Sequence, residues 1–107
     1  MAEPQALVDG PPGVYAAPSN VSVGVASGVV LAANPRRIAC VFVNDHATQV
    51  VYLAVGATAV INAGIRINAA GGTCQFGGMG GLPLTRAAIN GIATGATTGV
   101  TVQEITI

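Results

Sequence analysis

The sequence predicts an all-β domain, an antiparallel β-sandwich or jelly-roll-like barrel of seven to eight short strands with an extended N-terminal arm. Three observations carry this reading. From Val29 to Phe76, short stretches rich in Val, Ile, Phe and Tyr alternate with breaks of Asn, Asp, Gly and Pro, the pattern of consecutive strands joined by tight turns. Such stretches recur at roughly regular spacing to the end of the chain. No part of the chain requires a helix.

Residues 1–20 differ from the rest, with Pro4, Pro11, Pro12 and Pro18 set among Gly and Ala. Proline fixes φ and removes a backbone donor, so this segment favours extended conformations that lie along a surface. It reads as an arm with Val14 and Tyr15 as anchors on a neighbouring subunit, and residues 21–107 read as the sandwich domain. Val21, Val23 and Val25 alternate with Ser22 and Gly24 as in a half-buried strand. Val29 to Ala33 continues extended until Asn34-Pro35 opens a turn.

Ile38 to Val43 is apolar on both faces, with Ile38, Cys40 and Phe42 opposite Ala39, Val41 and Val43, as in a central strand covered on both sides. Asn44 to Thr48 supplies hairpin-loop residues. Gln49 to Val55 then returns as a second doubly apolar strand, so the two are expected to pair as a hairpin. After a longer connection from Gly56 to Gly64, Ile65 and Ile67 alternate with Arg66 and Asn68, which places Arg66 toward solvent or a partner. Thr73 to Phe76 and Arg86 to Thr94 are further strands, the second weaker, separated by the glycine-rich loop Gly77 to Gly81. In Val100 to Ile107 the apolar phase shifts from Val100 and Val102 to Ile105 and Ile107, which predicts a β-bulge near Gln103-Glu104.

Composition narrows the function. Of 107 residues 7% are charged and 51% hydrophobic, against about 25% charged in an average soluble domain. A surface so poor in charge implies that another copy or another protein covers part of it. Arg36, Arg37, Arg66 and Arg86 balance Glu3, Asp9, Asp45 and Glu104, so the chain lacks the cationic footprint of a nucleic-acid-binding protein. The start of the chain lacks the features of a secretory signal, which predicts synthesis in a cytoplasm. The longest apolar stretch, Val50 to Ile61, is too short for a helical membrane span, so no membrane partner is expected.

Side chains capable of chemistry are few. Cys40 and Cys74 stand far apart in the chain, and Cys40 reads as a small buried hydrophobe. Two Cys and one His without close spacing do not make a tetrahedral metal site, and no cofactor is expected. Asp45-His46 has the residue types of a catalytic pair, but neighbouring side chains diverge in a strand or turn, so no catalytic residue and no enzymatic activity is expected. The Gly77 to Gly81 loop is not followed by the Lys-Ser/Thr of a phosphate-binding loop. Arg36-Arg37 would suit an acidic groove on a partner, against the default of two solvated arginines at a turn. The partner-contact residues are thus expected to be Pro11, Pro12, Val14, Tyr15, Arg36, Arg37 and Arg66.

The segments Leu31-Ala32-Ala33-Asn34-Pro35-Arg36-Arg37, Val43-Asn44-Asp45, Val51-Tyr52-Leu53-Ala54-Val55-Gly56 and Gly64-Ile65-Arg66-Ile67-Asn68-Ala69-Ala70-Gly71-Gly72 resemble a group of small virion proteins of tailed bacteriophages. The likeness covers about residues 29–107 and leaves the arm unmatched. It implies a β-sandwich decoration or appendage of the particle, such as capsid cement, head-decoration or fibre-base modules. The expected function is that of a capsid decoration or cement protein on the outer shell, bound to the major capsid protein as a small homo-oligomer such as a trimer. The alternative is a tail, neck or fibre-base module, or an adhesin whose loops, such as Gly77 to Pro83, bind a host glycan. With no Trp and 4% aromatic residues, the chain has few rings on which a sugar would stack.

Overall fold

A computed structural model describes residues 13–78 and 80–107. Among these it contains nine strands and no helix: β1 (Val14–Tyr15), β2 (Ser19–Val23), β3 (Gly28–Leu31), β4 (Arg37–Asn44), β5 (Val51–Val55), β6 (Ile65–Ile67), β7 (Thr73–Phe76), β8 (Ile89–Ala93) and β9 (Thr98–Thr106). The ladders between strands are all antiparallel, and they form two sheets. The first runs β1-β9-β4-β7, with β2 also on β9; the second runs β3-β8-β5-β6. The all-β sandwich read from strand periodicity is the observed fold.

Between the sheets, Phe42, Cys40, Phe76, Cys74, Val100 and Val102 from the first meet Val51, Leu53, Ile67, Ile89 and Ala93 from the second. Phe42 and Phe76 cross edge to face with centroids 6.0 Å apart, an arrangement favoured by the ring quadrupole. Gly91 on β8 leaves room for Val30 of the paired strand β3, since a Cβ at this position would stand 2.7 Å from Val30 Cγ2.

Three expectations are corrected. First, β4 and β5 do not form a hairpin: β4 pairs with β9 and β7, whereas β5 pairs with β6 and β8. The cause is Asn44, which is fully buried and acts as a corner. Its Nδ2 donates to Gln49 O (2.8 Å) and to Ile67 O in the second sheet (3.2 Å), and its Oδ1 accepts from His46 N (3.0 Å). The buried amide thus holds the chain as it crosses from one sheet to the other. Second, the bulge lies on β4, not on β9. Arg37 faces Thr106 while Ala39 faces Ile105, so Ile38 is the extra residue.

Third, ladder pairing starts before Val21. Val14 and Tyr15 pair with Thr106 and Ile105, and Ser19 pairs with Val102. The two short strands run along one edge of β9 and are separated by Ala16-Ala17-Pro18. An edge is where a residue lacking an N–H is tolerated.

The outer faces of the two sheets differ. Over the second sheet, the connection from Gly56 to Gly64 folds back and buries Ala59 against Tyr52 and Ile92. Ala59 N donates to Ser27 Oγ (2.9 Å), Asn90 Nδ2 to Ala57 O (2.6 Å) and Tyr52 Oη to Asn62 Oδ1 (2.9 Å). The doubly apolar character of β5 is thereby explained. Nothing among the described residues lies in the same way over the first sheet, where Ala39, Val41 and Val43 of β4 remain half-buried.

Candidate interaction surface

The structure separates the residues expected at a partner contact. Pro11 and Pro12 lie outside the described residues. Val14, Tyr15 and Arg36 come together at one end of the sandwich. Val14 and Tyr15 are 61% and 68% exposed, and Ile107, beside them at the end of β9, is 54% exposed. Arg36 is joined to this end through Nη2 to Ile107 O (2.6 Å) and through its own carbonyl, which accepts from Ile107 N (2.9 Å). Tyr15, level with Ile105, and Val14, level with Thr106, point to opposite faces of β1, so this end carries exposed apolar side chains on both faces beside a guanidinium, next to the residues where the proline-rich segment joins the sheet.

Arg37 does not belong to that patch, and its place among the contact residues is corrected. The β4 bulge turns it inward, and it is fully buried. Its Nε donates to Glu104 Oε2 at 2.7 Å, its Nη1 to Thr85 O and Ala87 O at 3.0 and 2.9 Å, and its Nη2 to Ala32 O. It ties two loops and the end of β9 together, a buried charge all three of whose nitrogens donate. Arg66 lies apart, on the outer face of the second sheet. There its guanidinium sits 5.9 Å from the Tyr52 ring centroid and its Nε donates to Asn68 Oδ1 (2.8 Å).

A second surface was not singled out from the sequence. On the outer face of the first sheet, β4 contributes Val41 and Val43, and each is flanked by its cross-strand partners. Val43 lies between Thr101 and Thr73, and Val41 lies between Gln103 and Gln75. Ile105 and Ala39 continue the face. No charged side chain stands in these rows. Asp45 borders them at a corner, where it accepts from Thr101 Oγ1 and Asn20 Nδ2. The signal that marks this face in the sequence is the recurrence of Thr-x-Gln, as Thr73-Cys74-Gln75 and Thr101-Val102-Gln103, around the Val-x-Val of β4.

The remaining titratable groups are engaged within the chain or buried. His46 Nδ1 accepts from Thr48 N (3.1 Å) and Gln49 N (3.0 Å), so the ring closes its own turn while Asp45 bonds elsewhere. The two thiols are buried, and burial pushes Cys40 up to about 11 and raises Cys74. They are diagonal neighbours on β4 and β7, since Cys40 faces Phe76 and Cys74 faces Phe42; such positions stand farther apart than a disulfide spans. A cleft of about 400 Å³ opens between the edges of β6 and β7, lined by Ile65, Thr73, Cys74, Gln75 and Leu82. Arg66, whose guanidinium sits 5.9 Å from the Tyr52 ring centroid, also lines this cleft. Among the described residues no group of His, Cys, Asp and Glu side chains is placed to hold a metal ion. No helix of the described residues is long and apolar enough to cross a membrane.

Comparison with protein-family models, with curated proteins and with solved structures finds no match to this chain.

Proposed function

We propose that the chain is a structural component of a bacteriophage particle, a decoration protein that binds the outer surface of the shell through contacts with the major capsid protein. The observation that carries the proposal is the exposed apolar end formed by Val14, Tyr15 and Ile107 beside Arg36. Val25, Val29, Val60, Leu82 and Leu84 are exposed as well, but Val14, Tyr15 and Ile107 stand together at one end beside a cation, a surface available for a partner. It adjoins the proline-rich segment, which suits an extended contact across a neighbouring surface. A domain of this kind acts mechanically, adding interface area at junctions between capsomers, and many weak identical contacts gain strength through multiplicity.

The test is the number of copies of this chain per purified particle, measured by quantitative mass spectrometry against the major capsid protein. Hundreds of copies support a shell-covering role. A few copies would move the chain to a vertex, neck, tail or fibre, and none would overturn the virion role. Tyr15→Asp and Val14→Asp variants should keep the β-sheet circular dichroism spectrum and lose binding to stripped shells.

A further inference from the structure

We infer that the outer face of the β1-β9-β4-β7 sheet is the contact for a second copy of this chain, packed face to face about a two-fold axis parallel to β4. The rows are symmetric about β4. With β4 on the axis, rotation places β9 of one copy opposite β7 of the other and keeps β4 over β4. Because β7 and β9 are both antiparallel to β4, they run in the same direction, and Thr101 and Gln103 occupy the same levels as Thr73 and Gln75. Each Gln103 therefore meets the partner's Gln75, each Thr101 meets the partner's Thr73, and Val41 and Val43 meet their own counterparts. An isologous contact requires such a self-complementary patch.

The two glutamines are prepared alike for this pairing. Gln75 Nε2 donates to Gly77 O and Gln103 Nε2 to Ala16 O, both at 3.1 Å. Each amide is thereby oriented, with its carbonyl oxygen and second N–H left for an amide facing it. Val41 and Val43 fill the centre. No like charges are brought together in these rows, a condition that a surface carrying Lys or Glu would not meet.

Size sets the strength. Three strands overlap when β4 lies on the axis; at about 4.8 Å apart and with the length of β4, about 27 Å, they give a footprint of roughly 400 Å² per copy, or about 800 Å² per pair. That is below the roughly 1,000 Å² of a stable interface, so the dimer should be weak and reversible, populated at roughly high-micromolar to millimolar concentration. The contact is independent of shell binding: a monomer that coats shells would overturn the dimer alone, and a dimer absent from particles would overturn the virion role alone.

Sedimentation equilibrium of the full chain over a concentration series that reaches the millimolar range tests it. The wild type should approach twice the chain mass, and V41K, which sets two ammonium groups against each other on the axis, should weaken association by roughly tenfold or more with an unchanged circular dichroism spectrum. A stricter test uses two doubly substituted chains, Q75E/Q103E and Q75K/Q103K. Each should be monomeric alone, and an equimolar mixture should dimerise, because every acidic position then faces a basic one. A wild type that stays monomeric or forms trimers, a V41K variant that dimerises as the wild type does, or a mixture that stays monomeric would each overturn the inference.

Discussion

Replacing Arg37 with alanine should remove most of the stability of the domain. The side chain is fully buried and donates to Glu104 and to the carbonyls of Ala32, Thr85 and Ala87. Its loss leaves a carboxylate only 14% exposed without its cation, and three carbonyls without a donor. Breaking a buried ion pair by removing one partner costs about 3–5 kcal/mol. A small domain has only about 5–15 kcal/mol in total. Glu104→Gln is the control. It keeps the shape, retains an acceptor for Arg37 and leaves the three carbonyl bonds intact, so it should cost about 1–2 kcal/mol. Urea unfolding followed by circular dichroism measures both, and with a slope near 1 kcal/mol per M the alanine variant should shift the midpoint by about 3 M or more. Equal losses in the two variants would show that the carbonyl bonds contribute nothing. A loss below about 1 kcal/mol for Arg37→Ala would show that water reaches the guanidinium, and would refute the reading of this arginine as a buried clamp.

The remaining predictions concern the corner, the covered face and the thiols. Asn44→Ala deletes bonds to Gln49 O, Ile67 O and His46 N at a buried site and should cost about 2–3 kcal/mol by urea titration. Ala59→Asp places a carboxylate in the cluster with Tyr52 and Ile92; it should lift the 56–64 connection, lower stability by about 2 kcal/mol or more and raise binding of a hydrophobic dye. Burial holds the Cys40 proton until about pH 11, against an ordinary value of 9.0, although the nearby Arg37 charge opposes the shift. Between those pH values the unfolded chain has released a proton that the folded chain retains. Stability should therefore be flat below about pH 8 and fall by about 2–3 kcal/mol as the pH rises from about 9 to 11. Cys40→Val should flatten most of that fall. In the native protein at pH 8 both thiols should react with an aromatic disulfide reagent only as fast as the protein opens.

Much of the strand content was legible because each strand carries its own local signal. The period-2 alternation of Val21 to Val23, the Asn34-Pro35 break and the apolar runs around Phe42 and Leu53 all sit where periodicity and turn residues place them. Pairing was less legible, because it depends on partners distant in the chain. β4 lies between β7 and β9, whose pairing residues begin at Thr73 and extend to Thr106, and no local feature of Asn44 to Thr48 separates a hairpin loop from a corner between sheets. Arg37 was misread for a related reason. Beside Arg36 and after a turn it has the local appearance of a solvated residue, and only the Ile38 bulge and the carboxylate 67 positions away bring it inside. Of the contact surfaces, the Val14–Tyr15 end was visible as aromatic and apolar residues in a proline-rich segment. The Thr-x-Gln rows become one surface only when three strands are set in register.

The scarcity of charge and the form of the surfaces have a common basis. Among the described residues, the charged side chains are largely engaged within the chain itself. Arg37 and Glu104 pair inside, Arg36 holds Ile107, Arg86 Nε donates to Arg37 O (2.9 Å), Asp45 accepts from Thr101 and Asn20, and Arg66 rests on Tyr52 and Asn68. Charge here fastens loops and corners and is absent from the rows of the open sheet. One consequence is a lack of protection against association, since natural sheets commonly use exposed lysines to discourage contact and this chain has none. A further consequence is that contacts through the open sheet draw on apolar area and amide pairing, with little long-range attraction to be screened, so they should respond weakly to salt. For a domain proposed to work in many copies on a crowded surface, neutral rows let two identical molecules meet face to face without mutual repulsion, while the end beside Arg36 remains free to meet a different partner.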